Sequence, residues 1–195
     1  MASTSLPALV QQVRACTLCA ASLEHGVRPV LQANKGARIL IAGQAPGRRV
    51  HESGVPFDDP SGERLRDWMG VSREVFYDAS QVAILPMGFC YPGTGKSGDL
   101  PPRAECAPEW RSKLLARLPG IKLTLVIGQY AARWHLDAGG TKLTDLVRDW
   151  RRYAPTQFPL PHPSPRNNIW LKKNPWFAAD VLGELRQRVA ASLAR

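Results

Sequence analysis

The sequence predicts a three-layer α/β/α sandwich built on a four-stranded parallel sheet. Four short apolar runs, Arg38–Ala42, Val82–Leu85, Leu123–Ile127 and Phe158–Leu160, are each bounded by turn residues, as buried strands are. Enough chain separates them for a helical crossover, and strands alternating with helices form parallel sheets covered on both faces. The 195 residues fit one domain spanning 1–195, with no internal repeat or Gly/Ser linker to divide it. A chain of this size buries about 70% of its unfolded surface and needs no disulfide staple.

Helices are expected at Leu6–Cys19, Gly62–Met69, Cys106–Arg117, Ala131–Leu136 and Asn174–Leu193. The last is the clearest: Asn174 can cap, Pro175 suits the first turn, and Phe177, Val181, Leu182, Leu185 and Val189 form one apolar face. In such folds ligands bind beyond the carboxyl ends of the strands. Two strand ends stand out there, Gly43-Gln44-Ala45-Pro46-Gly47 and Pro161-His162-Pro163-Ser164-Pro165-Arg166-Asn167.

No run of ~18 apolar residues exists, so no membrane span is expected. The first residues lack a basic start followed by an apolar stretch, so no secretory signal is expected either, and the reading is cytoplasmic. The net charge is +10, and +6 of it falls between Arg148 and Arg195. That concentration suits a nucleic-acid binder; the plain alternative is a solvated basic surface.

Cys16 and Cys19 form a Cys-x2-Cys pair, and Cys90 and Cys106 follow. Disulfides explain such cysteines poorly in a cytosolic protein. Four thiolates suit either zinc or a [4Fe–4S] cluster, the alternative being no metal and four free buried thiols. Gly95-Lys96-Ser97 imitates a phosphate-binding loop, but the Gly required five positions earlier is Cys90, and Pro101-Pro102 denies the helix. His51-Glu52 fails as a zinc-protease motif because position 55 is Val.

The stretch Gly43-Gln44-Ala45-Pro46-Gly47 follows a strand and has small residues that let a ligand approach the backbone, although ordinary strand-end turns look the same. Phe57 could stack on a planar base or simply pack in the core. His162 sits between two prolines after a strand, a rigid placement for a residue type that is usually structural.

Together these residues resemble the uracil-DNA glycosylase superfamily, most nearly its iron–sulfur branch. Gly43-Gln44-Ala45-Pro46-Gly47 looks like the first motif of that family, and Phe57 falls at the spacing of its base-stacking aromatic. The run from His162 to Asn167 resembles the second motif as worded in the single-strand-selective branch. The four cysteines match the cluster ligands in order. The resemblance implies a flipped base held between the motifs, with Gly43, Gln44, Ala45 and Phe57 binding it. It also implies His162 as the catalytic donor to the leaving base, with Ser164, Arg166 and Asn167 on the DNA. Arg166, Asn167 and Trp170 are further candidates to wedge into the vacated stack or contact flanking phosphates, Trp170 being equally suited to the core. Cys16, Cys19, Cys90 and Cys106 would hold a structural [4Fe–4S] cluster.

Three positions depart from the family pattern. Gln44 stands where the iron–sulfur branch usually has Glu, and Ala45 where other branches have Asp or Asn to activate water. Pro86 replaces the Asn that reads the uracil edge four residues before the third cysteine. The expectation is a monomeric glycosylase that removes a deaminated base, foremost uracil, from DNA in base excision repair. A non-catalytic nucleic-acid binder and a nucleoside or nucleotide hydrolase are the alternatives.

Overall fold

The computed structural model describes residues 4–96, 98–136 and 140–194. Four strands, β1 (Ile39–Ala42), β2 (Val82–Ile84), β5 (Leu123–Ile127) and β6 (Gln157–Leu160), form a parallel sheet in the order β2-β1-β5-β6. Ile39 pairs with both Val82 and Leu123, and Leu125 pairs with Phe158. A separate hairpin joins β3 (Thr94–Gly95) to β4 (Gly98–Asp99). The helices are α1 (Leu6–Arg14), α2 (Arg48–Ser53), α3 (Pro60–Met69), α4 (Arg73–Tyr77), α5 (Cys106–Leu115), α6 (Gly128–His135), α7 (Leu143–Arg148), α8 (Asn168–Lys173) and α9 (Leu182–Leu193).

Alternate residues of a strand face opposite sides of a sheet, and this sheet is apolar on both. Ile39, Ile41, Leu123, Leu125 and Ile127 meet Leu65, Trp68 and Met69 of α3 and Leu185 and Val189 of α9. On the other face Leu40 and Ala83 pack on α1 and α5, while Ala42 and Val126 pack on α6. The result is the three-layer α/β/α sandwich expected. Among the described residues no helix is long and apolar enough to cross a membrane.

Several boundaries differ from the expectation. The first helix stops at Arg14, because its buried stripe of Leu6, Leu9 and Val13 ends there and the Ala15 amide closes onto the Gln11 carbonyl. Cys16 and Cys19 therefore lie in turns beyond the helix. Asn174 caps no helix start. It follows α8, its Nδ2 donates to the Trp170 carbonyl, and its Oδ1 accepts from Trp176 Nε1. The last helix instead begins with a π turn, Phe177–Val181, that keeps both end residues in the core. Gly128, at φ +81, lets β5 run straight into α6, three residues before the expected start. Helices α2, α4, α7 and α8 are five or six residues long and too short to show a period. Gly95 and Lys96 belong to the β3–β4 hairpin rather than a phosphate loop; Ser97 lies outside the described residues.

Candidate active site

The two motifs meet. The carboxyl ends of β1, β2 and β6 open onto a cleft of about 450 Å³, lined by Gly43, Gln44, Ala45, Phe57, Pro86 and His162, with Ser164, Arg166 and Asn167 on the same wall.

Phe57 is fixed from behind while remaining only partly buried at the cleft. A Cβ at Gly43 would lie 3.5 Å from the ring, and Phe76 meets it edge-on at 6.1 Å. Its φ of 55° is left-handed, which costs a β-carbon-bearing residue of this size roughly 1–2 kcal/mol. Tyr77 donates its hydroxyl to the carbonyls of Pro56 (3.0 Å) and Phe57 (3.3 Å), and any Cβ at Gly62 would overlap the Phe57 carbonyl. Such strain persists only where the surroundings fix it, as they do at ligand clamps.

The half-buried His162 ring has a defined tautomer. The Ser164 amide donates to its Nδ1 at 3.2 Å, so the neutral ring carries its proton on Nε2. Asn167 Nδ2 donates to the His162 carbonyl at 2.7 Å and fixes the loop. Burial pushes the imidazole pKa below its ordinary value, and the carboxylates of Asp59 and Asp99 oppose that shift without reversing it. At neutral pH the ring is therefore an uncharged donor.

Asp59 and Asp99 also line the cleft, and sequence reasoning missed both. Asp59 caps α3, its Oδ1 accepting from the Gly62 amide at 2.9 Å. The Asp-Pro pair at a helix start was a legible signal for it. Asp99 is delivered by the two-residue strand β4, and no local pattern announces it. Its Oδ2 lies beside Gly47, where a Cβ would stand 3.5 Å away in ordinary contact. The Arg166 guanidinium lies over Gly98, where a side chain would collide with it. Arg48 and Arg49 add further positive charge to the lining, and Arg64 Nη1 donates to the Ser164 carbonyl at 3.2 Å.

Trp170 is not free to wedge. It is half-buried, Nε1 donates to Thr144 Oγ1 at 2.8 Å, and the ring packs edge-on against Trp176 and Phe177. On the same short helix Ile169 is 68% exposed.

Cys16, Cys19, Cys90 and Cys106 surround a second, small cavity between α1 and α5. Cys16 Sγ accepts from Trp110 Nε1 at 3.3 Å and Cys106 Sγ from the Phe89 amide at 3.4 Å. Burial pushes the Cys90 thiol up to about 11 and the Cys106 thiol up to about 12. Such thiols ionise when a metal cation takes the charge. Among the described residues no three His, Cys, Asp or Glu side chains stand close enough to share one ion.

Behind the cleft, the His135 imidazole accepts from the buried guanidinium of Arg111. Burial, and then repulsion from Arg111, lower the His135 pKa to about 3. The unfolded chain, near 6.5, binds the proton first, so stability is complete above pH 6.5 and is lost as pH falls toward about 3. The slope should be at most about 1.4 kcal/mol per pH unit from this group. Urea unfolding at several pH values between 7 and 5 checks this; His135→Gln should flatten the curve, and an unchanged slope would contradict the assignment.

A model of the uracil DNA glycosylase superfamily matches residues 31–186, which carry both cleft motifs, Phe57, Cys90 and Cys106.

Proposed function

The chain belongs to the uracil DNA glycosylase superfamily, and on that premise we propose that it excises a deaminated base, foremost uracil, from DNA by cleaving the N-glycosidic bond. The observation that carries this reading is His162. Its Nδ1 is occupied by the Ser164 amide, which leaves Nε2–H as the donor the ring offers in the cleft.

A base stacked in a duplex cannot enter such a cleft, so the nucleotide is extruded at a cost of a few kcal/mol, least for a damaged or mispaired base. Phe57 then stacks on the flipped ring. Bond breaking leaves negative charge on the departing base, and the neutral His162 donates to it without needing to lose charge. A preorganised donor of this kind is worth about 3–4 kcal/mol in the transition state. The sugar becomes cationic as the base leaves, and Asp59 and Asp99 place negative charge on the same cleft to favour it. The Ala45 methyl cannot activate water, so water adds to the sugar cation after the bond breaks, its oxygen bonding to the sugar carbon and the proton it releases neutralising the departed base anion. Arg166, with Arg48 and Arg49, meets phosphates, while Ile169 offers an apolar side chain to the vacated stack.

The cysteine cavity supports a [4Fe–4S] cluster held by Cys16, Cys19, Cys90 and Cys106. Four cysteine side chains line that one cavity, and an all-thiolate donor set is what such a cluster takes, zinc being the other ion it would accept. Bound there, the cluster would supply a structural cross-link between the turn after α1 and the chain on either side of the hairpin.

Pro86 offers the base neither a donor nor an acceptor from its side chain. A site lacking that contact discriminates less than one built around it. Duplexes each carrying one uracil, hypoxanthine or xanthine should therefore all be cleaved, uracil fastest. Strict uracil selectivity would show that Gln44 and the adjoining backbone do the reading. Binding without cleavage of any of them would favour a non-catalytic binder.

A further inference from the structure

Arg111 is 1% exposed, and no carboxylate partners it among the described residues. Burying a cation so is costly unless hydrogen bonds replace the lost water. They do so here. Nη1 donates to the carbonyls of Leu85 (2.9 Å) and Pro86 (3.1 Å), and Nε donates to His135 Nε2 at 2.9 Å, with Nη2 at 2.6 Å from the same nitrogen. His135 is anchored in turn, since Gln157 Nε2 donates to its carbonyl at 2.7 Å.

The two carbonyls that Arg111 grips belong to the segment leaving β2, and Pro86 lines the cleft. Amides of that segment reach the first motif: Met87 N–H donates to the Gly43 carbonyl and Gly88 N–H to the Gln44 carbonyl, each at 2.9 Å. The N–H groups of Gln44 and Ala45 take part in none of these bonds. Farther along, the Phe89 amide is held by Cys106, on the same helix as Arg111. Helix α5 thus clasps residues 85–89 at two points one helical turn and more apart.

We propose that Arg111 is a positioning residue that sets the base-binding edge of the cleft, through the Leu85 and Pro86 carbonyls and the hydrogen bonds from Met87 and Gly88 to Gly43 and Gln44. This rests on the glycosylase reading for its consequence in catalysis, but not for its geometry. A planar fork can satisfy two carbonyls and an imidazole together; an ammonium or a thioether cannot. The ring of His135 stays neutral beside it, because burial and the guanidinium both disfavour its protonation.

The test compares wild type with Arg111→Lys and Arg111→Met, reading amide hydrogen exchange by residue together with DNA affinity and single-turnover cleavage of uracil-containing DNA. In both variants the Met87 and Gly88 amides should exchange at least about tenfold faster, while the amides of α3 and α9 on the opposite face keep their rates. Cleavage should slow by about 10- to 100-fold with DNA affinity unchanged, as expected when reacting groups are misplaced by a fraction of an ångström to an ångström. Protection at Met87 and Gly88 equal to wild type, or a uniform loss across the whole core, would overturn the proposal. Exchange needs no catalysis, so failure of the glycosylase reading would appear as absent turnover in the wild type and leave the exchange result to decide.

Discussion

His162→Ala is expected to slow single-turnover release of uracil by about 10²–10³-fold, the effect of one lost oxyanion donor. Pro161 and Pro163 fix the backbone around the ring, the Ser164 amide fixes the tautomer, and burial keeps the ring neutral. None of these bonds joins the sheet to a helix layer, so the fold and the DNA affinity should survive the change. His162→Gln should recover part of the rate, because an amide N–H can replace the imidazole donor without its geometry. Equal rates for wild type and His162→Ala would remove the histidine from the chemistry.

Cys90→Ala is expected to have the largest effect on the protein itself. Anaerobically purified wild type should be brown and contain iron and acid-labile sulfide, and the variant should be colourless and markedly less stable, because metal binding is coupled to folding. The four sulfurs lie on segments far apart in sequence, and Cys90 follows directly on the stretch that α5 clasps. Losing the cross-link should therefore loosen the turn after α1 together with that stretch. Stoichiometric zinc in a colourless wild type would replace the cluster by an ion; absence of both metals would sink the four-thiolate site.

The parts legible in the sequence were those written in local patterns. The β1, β2, β5 and β6 runs are short, apolar and turn-bounded, and the motifs at their ends fell on one cleft as the sheet geometry requires. What stayed hidden depends on long-range contact. Asp99 reaches the cleft through a hairpin of two-residue strands, which leaves no periodic trace. Arg111 looks like an ordinary helical cation until the fold places the Leu85 and Pro86 carbonyls over it. Packing also decides Trp170 and Asn174: of the two roles open to Trp170 the packed one holds, with Thr144 as partner, and Asn174 is claimed by Trp176 rather than by a helix start. Cys16 continues the helical spacing of Leu6, Leu9 and Val13 in sequence, but the buried stripe stops at Val13 and α1 ends with it.

The most direct test of the central claim is to incubate the protein with DNA carrying a single uracil and to quantify both free uracil and abasic sites. Wild type should form the two in equal amounts, and His162→Ala should nearly abolish both at undiminished DNA binding. DNA that is bound but yields neither product, with uracil, hypoxanthine and xanthine alike, would contradict that claim.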